Sequence, residues 1–450
     1  MAKKRTYSTH SVESVPVDVL LPALLAGCIV ALDVAKQKFV FAVATLAGEV
    51  IKLFRFEHPK ETGKFFQLVE ALKERVEPGK LKVAMEPTGT YGDGIRHQLA
   101  SRGIPVWMVS PKKTFDSRAL FDDVQSLHDP KSAVHVAKLC ALNLATEWHA
   151  PPELRVRLRA LVQLRAHEHD SEERCFGRME ALLARHWPEF GQWLDVRGQK
   201  SALVLLAKYP SPESLNAARE NAEVLLREVS RSRLSEEKIR GFLAASVTTL
   251  GVPALPEETR MLAALAEQAA EAQRRANAVE LDMTKLGSGD EVFQRLERWM
   301  GTFSAAVIIT MCDPRQYEKP RQLEKACGLN LREKSSGNDP RDVGLHITKR
   351  GPSLVRKVLF LFALRMIKHS PEARAWYMRR RSFAGGAKMS SVIALMRKLV
   401  RAVFYVARGA DFDPSKLFDL RRLEVPTLQP EGAVLRRKVN EPKMAAAVSG

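Results

Sequence analysis

Two short apolar runs near the start of the chain each stop at a carboxylate, and this restricts the fold more than any other feature. Cys28-Ile29-Val30-Ala31-Leu32 ends at Asp33, and Leu81-Lys82-Val83-Ala84-Met85 ends at Glu86. Runs of this length and composition read as buried strands. A carboxylate at the end of a buried strand is costly to desolvate unless it is paired or binds a cation. A third acid, Asp129, opens Asp129-Pro130-Lys131-Ser132-Ala133 and leads into an apolar helical stretch. Three such carboxylates, gathered by a fold, suit Mg²⁺, which takes hard oxygen ligands and keeps water and phosphate in its shell. Phosphodiester cleavage uses that chemistry.

The surrounding pattern alternates strand and helix signals from residue 28 to about 145. Strands are expected at 29–32, 39–44, 81–85 and 106–109, and helices at 63–76, 92–102 and 132–144. Such alternation predicts an α/β domain with a mixed sheet. Pro151-Pro152 breaks it, and a long helix is expected from Glu153. After Pro256, the residues Leu262, Leu265, Ala269, Ala272, Ala276, Val279, Met283 and Leu286 are spaced alternately three and four apart. That is a heptad stripe. It fits an intramolecular hairpin with the Glu153 helix, a dimer seam, or both. Gly287-Ser288-Gly289 reads as a linker. A mostly α-helical third region follows, with amphipathic helices expected at 354–369 and 391–408. The expected division is a tail at 1–27, an α/β domain at 28–150, a helical coiled-coil region at 151–289, a third domain at 290–408 and a basic tail at 409–450.

Charge sharpens the functional reading. Residues 331–450 hold 25 Lys and Arg against 10 Asp and Glu, a surplus of 15. The whole chain carries +19, so the first 330 residues account for only +4. A positive excess gathered in one region is the footprint of a phosphate-backbone partner. The five cysteines, Cys28, Cys140, Cys175, Cys312 and Cys327, are scattered and contain no Cys-x-x-Cys pair. This argues against a disulfide scaffold or zinc cluster and for a reduced cytoplasmic setting. No stretch reaches the roughly 20 uninterrupted apolar residues of a membrane span. Lys3-Lys4-Arg5 before the leucines at 20–25 imitates a secretion signal, but Asp18 and Pro22 interrupt it.

The conjunction of Asp33, then Met85-Glu86-Pro87-Thr88-Gly89-Thr90-Tyr91, then Asp129-Pro130-Lys131 resembles the first domain of a family of insertion-sequence transposases and pilin-gene invertases. The C-terminal stretch is similar to the same family's second domain. The matching residues are Arg321-Gln322-Leu323, Gly328-Leu329, Ser335-Ser336-Gly337 and Ile347-Thr348-Lys349-Arg350-Gly351 with Leu354-Val355-Arg356. The resemblance spans about residues 28 to 405. It implies a RuvC-like (RNase H-like) first domain with a DEDD acid set, here Asp33, Glu86 and Asp129, holding a divalent metal such as Mg²⁺. It implies a nucleophilic serine, Ser336, with Ser335 the nearby alternative, and a phosphoserine intermediate in strand cleavage and rejoining. It further implies double-stranded donor and target DNA, a structured guide RNA from the element, and a homo-oligomer, dimer or tetramer, whose acids and serine come from different subunits. A cytoplasmic, nucleoid-associated protein is expected. Two departures stand out. Ser132 occupies the place of the fourth acid, for which Asp122 or Asp123 is a possible substitute. Gly301 is the one glycine in Trp299-Met300-Gly301-Thr302-Phe303, where the family often has Pro-Gly-x-Gly.

Nucleic-acid contacts are expected from Lys349, Arg350, Arg356 and the run Arg379-Arg380-Arg381. His167 and His169 imitate a metal pair, but residues two apart on a helix do not share a face. Two rival readings remain open at this point: a metal-dependent nuclease that hydrolyses branched DNA, and a catalytically inactive nucleic-acid-binding relative of a transposase.

Overall fold

The computed structural model describes residues 7–87, 89–231, 233–334, 344–383 and 387–423. The chain divides between Pro151 and Pro152 into two compact units.

The first unit is built on a seven-stranded mixed sheet: β1 (His10–Ser11), β2 (Cys28–Asp33), β3 (Lys38–Thr45), β4 (Val50–Glu57), β5 (Leu81–Met85), β6 (Val106–Met108) and β7 (Thr146–Glu147). The strand order is β1-β4-β3-β2-β5-β6-β7. An antiparallel meander, β2-β3-β4, adjoins parallel strands β5 and β6 on the other side of β2. The two faces of this sheet differ in residue size. One carries Phe39, Phe41, Phe54 and Phe56 with Val30, Leu32, Val83 and Met85, under the Thr62–Arg75 and Asp93–Ser101 helices. Their rings stack, as Phe41 on Phe54 at 5.0 Å. The other carries Ile29, Ala31, Ala42, Ala44 and Ala84 under Ala133, Val136 and Ala137 of the Asp129–Ala141 helix. Small side chains on both surfaces let that helix lie close to the sheet. The segment expected as an N-terminal tail contributes β1 and the buried Val12, Leu20 and Leu24. Its apolar residues complete the aromatic face.

The second unit is almost wholly helical. The Glu153–His186 and Pro256–Gly287 helices run antiparallel along each other. Arg165 Nε donates to Glu280 Oε1 at 2.8 Å, Arg275 Nε to Glu168 Oε2 at 3.0 Å, and Gln273 Nε2 to Glu172 Oε1 at 2.8 Å. At the far end, His186 Nε2 stands 3.2 Å from Glu258 Oε2. Leu262, Leu265, Ala269, Ala272, Ala276, Val279 and Met283 are all buried. The heptad stripe thus serves an intramolecular hairpin, in which these residues are buried. An isolated 32-residue stripe needs a partner, and the 34-residue helix supplies one in the same chain.

The hairpin joins two cores. At its turn end, Phe176, Met179 and Leu183 pack with Trp187, Phe190, Leu205, Leu206, Phe242 and Leu265. At its open end, Leu158, Val162, Val279 and Met283 pack with the Thr302–Met311, Ser353–His369 and Lys388–Val406 helices. The region expected to stand as a domain from residue 290 shares this core with the hairpin. The Pro371–Phe383 helix went unforeseen because its composition is polar and basic, with Ala373 its one buried residue.

Candidate active site

Strand register places the first two acids. Leu32 of β2 pairs with Met85 of β5 in a parallel ladder, so Asp33 and Glu86 leave neighbouring strands side by side. Asp33 shares its face with Ile29 and Ala31, and Glu86 with Ala84, because side chains alternate along a strand. That is the alanine-rich face, and the Asp129–Ala141 helix covering it begins at the third acid. His128 caps this helix, its ring nitrogen accepting from the Lys131 amide at 3.4 Å. A helix N-terminus favours negative charge, which suits Asp129 in the first turn.

These neighbours act on one another. Burial, and then the charges of Asp129 and Glu86, push the Asp33 carboxyl up to about 7. The Val34 amide and the Ser132 hydroxyl act in the opposite sense. Burial likewise raises Glu86, against the Thr114 hydroxyl. Thr114 Oγ1 is buried and has no well-formed hydrogen-bond partner within the chain. Among the described residues, no three His, Cys, Asp or Glu side chains converge closely enough to hold one ion. Mg²⁺ needs no such cage, since it is commonly bound by one or two carboxylates with water and phosphate completing the octahedron. The set is all oxygen, crowded with like charge and bordered by an unpartnered hydroxyl. It fits a hard divalent cation in chemistry, and Asp33, Glu86 and Asp129 are the residues that could hold one.

Asp122 is not free to replace the missing fourth acid. Lys131, almost fully buried, donates Nζ to Asp122 Oδ1 at 2.7 Å and to the Val124 carbonyl at 2.6 Å. Tyr7 Oη donates to Asp122 Oδ2 at 2.8 Å. The Lys131 ammonium and the Tyr7 hydroxyl hold the Asp122 carboxyl well below its ordinary range. Neither Lys131 nor Thr114 was singled out from sequence as part of the site. A lysine in the first turn of a helix buried on nearly every side is a signal for the former. Thr114 lies in a stretch without periodicity and offers none. The His167–His169 pair behaves as expected: Glu168 between them is buried against Arg275, and His169 stands 3.5 Å from Glu172.

In the second unit, β8 (Leu331–Lys334) and β9 (Gly344–Ile347) form a hairpin in which Lys334 pairs with Gly344. Ser335 and Ser336 lie outside the described residues. The base of the hairpin is locked by two glycines. Gly328 has φ +71, and a Cβ there would meet Arg350 N at 2.9 Å; a Cβ on Gly351 would lie 2.2 Å from the Ala326 carbonyl oxygen. Lys349 is held at φ +54 by its amide's bond to the Gly328 carbonyl at 3.0 Å, and Lys349 and Arg350 are both exposed. Arg356 differs from them: its Nη1 donates to the Gly351 carbonyl at 2.6 Å, a structural bond within the turn. Arg379 and Arg380 are exposed, and Arg381 is half-buried.

A mixed sheet with carboxylates at the ends of adjacent central strands, and a third on the covering helix, is consistent with the RNase H-like class of fold. Residues 30–188 match a family model for DEDD-type IS110 transposases, described as a transposase. Residues 294–378 match a second model, described as the transposase IS116/IS110/IS902 family. The chain belongs to this family of transposases, as the motif resemblance implied. No curated protein matches it. Membership carries action on DNA and use of a divalent metal. No described helix is long and apolar enough to cross a membrane.

Proposed function

We propose that this chain is the transposase of an insertion sequence, cutting and rejoining double-stranded DNA through a phosphoserine formed at Ser336, with Ser335 the alternative nucleophile. The observation that carries the reading is the register-fixed pair Asp33 and Glu86, with Asp129 at the head of the covering helix, in a chain whose second family match, 294–378, spans the positions of Ser335 and Ser336. The serine oxygen bonds to the scissile phosphorus while the opposite P–O bond breaks, leaving a sugar hydroxyl. Rejoining reverses this with the hydroxyl of another strand, so no external energy source is consumed. A serine hydroxyl needs a base. Bound Mg²⁺ would polarise the phosphate and offset developing charge. Exposed Lys349 and Arg350 supply further positive charge beside the loop. A guide RNA and a homo-oligomer, dimer or tetramer, belong to the same proposal, resting on family resemblance.

The test is to incubate the protein, the element's RNA, end-labelled junction DNA and Mg²⁺, then run denaturing gels. A DNA-linked protein band is expected, lost in both Ser336→Ala and Asp33→Ala. Free nicked DNA surviving in Ser336→Ala would instead establish hydrolysis. Ser132, neutral at the fourth acid's place, favours a second reading, an inactive relative that binds without cutting. Under that reading the native chain gives no adduct and Ser132→Asp restores one.

A further inference from the structure

The Pro371–Phe383 helix carries an ordered alternation of rings and cations on one face. Trp376 and Phe383 are seven residues apart, about two turns, so they share that face. Between them lie Arg379 and Arg380. Arg379 sits 5.6 Å from the Phe383 ring and Arg380 sits 5.9 Å from Trp376. Among the described residues nothing covers Phe383, which is 79% exposed, a high value for so large a ring. Opposite stand Lys398, 5.5 Å from the Trp376 ring, and Arg422. Together these residues line an open cleft of about 520 Å³. Among the described residues its one acid is Asp419, already bridged to Arg421 and Arg422 at 3.2 Å. Among the described residues, Arg379 and Arg380 have no carboxylate partner. Gathering cations with so little compensation costs free energy in the folded state, and a bound anion would recover it.

We propose that this cleft binds an unpaired stretch of nucleic acid, its bases stacking on Phe383 and Trp376 and its phosphates lying along Arg379, Arg380 and Lys398. The proposal rests on the reading of the chain as a nucleic-acid enzyme, and adds a site for single strands in a segment that lies mostly beyond residue 378, where the family match ends. Exposed rings interleaved with arginines are the means by which proteins hold single strands, since every base offers a π-face. Paired bases are already stacked on one another and offer none to the cleft. The burial of Lys398, and its neighbours Arg401 and Arg380, lower its pKa, in keeping with a cation awaiting a counter-charge.

The experiment is fluorescence anisotropy of the full chain with labelled oligothymidylate and oligouridylate of about twelve nucleotides, within the usual footprint of such grooves, beside a duplex of mixed sequence. Phe383→Ala removes an exposed ring and leaves the core intact. It is expected to weaken both unpaired oligomers about fivefold or more, the lower end for loss of one stacked base, and the duplex less than twofold. Arg379→Gln with Arg380→Gln should lower the salt slope on oligothymidylate by about 1.4, at roughly 0.7 for each phosphate left without its arginine. The ratio of the two oligomers' affinities tells RNA from DNA. Unchanged oligomer affinity in Phe383→Ala overturns the proposal. So does displacement of the oligomer by polyglutamate as readily as by unlabelled oligomer, because charge alone would then explain the cleft. The serine–DNA adduct is assayed on the same preparations. An adduct without Phe383-dependent binding removes the cleft and leaves the recombinase; Phe383-dependent binding without an adduct does the reverse.

Discussion

Asp33 shows at the scale of one residue how a fold prepares chemistry at a cost to stability. In the unfolded chain its carboxyl titrates near 3.8, and in the folded protein near 7. Between these values the folded state holds a proton the unfolded state has released. The stability Asp33 contributes is therefore complete below about pH 4 and is lost as pH rises through about 7. Asp33→Asn stays neutral throughout, so in chelator its melting temperature should fall less between pH 5 and pH 8 than the native protein's. At pH 8 the variant should be more stable by about 1–2 kcal/mol, a few degrees, discounted for partial exposure. Thermal melts at the two pH values check this; a native protein as stable at pH 8 as at pH 5 would rule it out. The acids themselves were legible because a carboxylate ending an apolar run is conspicuous. Ser132 was legible only as a departure from the family pattern. Its role beside Asp33, a hydroxyl that eases rather than adds to the crowding of charge, depends on how closely the helix lies on the sheet.

Elements were read well where a pattern has one physical cause. β2 is a continuous apolar run, and β5 one broken only by Lys82, because both faces are covered. The Pro256–Gly287 helix was plain from its heptads, yet its partner was not, since a stripe reports the need for burial and not what buries it. β4 is masked in the sequence because Val50 to Glu57 mixes Lys52 and Arg55 into the strand and breaks the apolar run. The alanines of the hairpin make a sharp prediction. Ala272 is 1% exposed against the facing helix. Ala272→Leu should destabilise the second unit by about 1–3 kcal/mol through overpacking, while Leu281→Ala, at a 63% exposed position of the same helix, should change stability by less than about 0.5 kcal/mol. Urea titrations followed by circular dichroism distinguish the two; equal effects would mean the helices do not pack along this stripe.

At the scale of the whole molecule, the residues matched to the second transposase model do not close a core by themselves. Leu158 and Val162 reach it from more than a hundred residues upstream, and Val279 and Met283 from the returning helix. A fragment of residues 290–423 should therefore bind a hydrophobic dye and melt without cooperativity, whereas residues 152–423 should melt as a folded unit. Calorimetry of the two decides it, and a sharp transition in the shorter piece would refute the shared core. The turn-end core, by contrast, is a separate cluster, built on the other end of the hairpin's two legs. The legs are long: Val162 and Cys175, one in each core, are separated by about 20 Å at 1.5 Å per residue. Two helices packed along that length would carry a displacement of one core to the other as a joint tilt, which is the geometry of a lever.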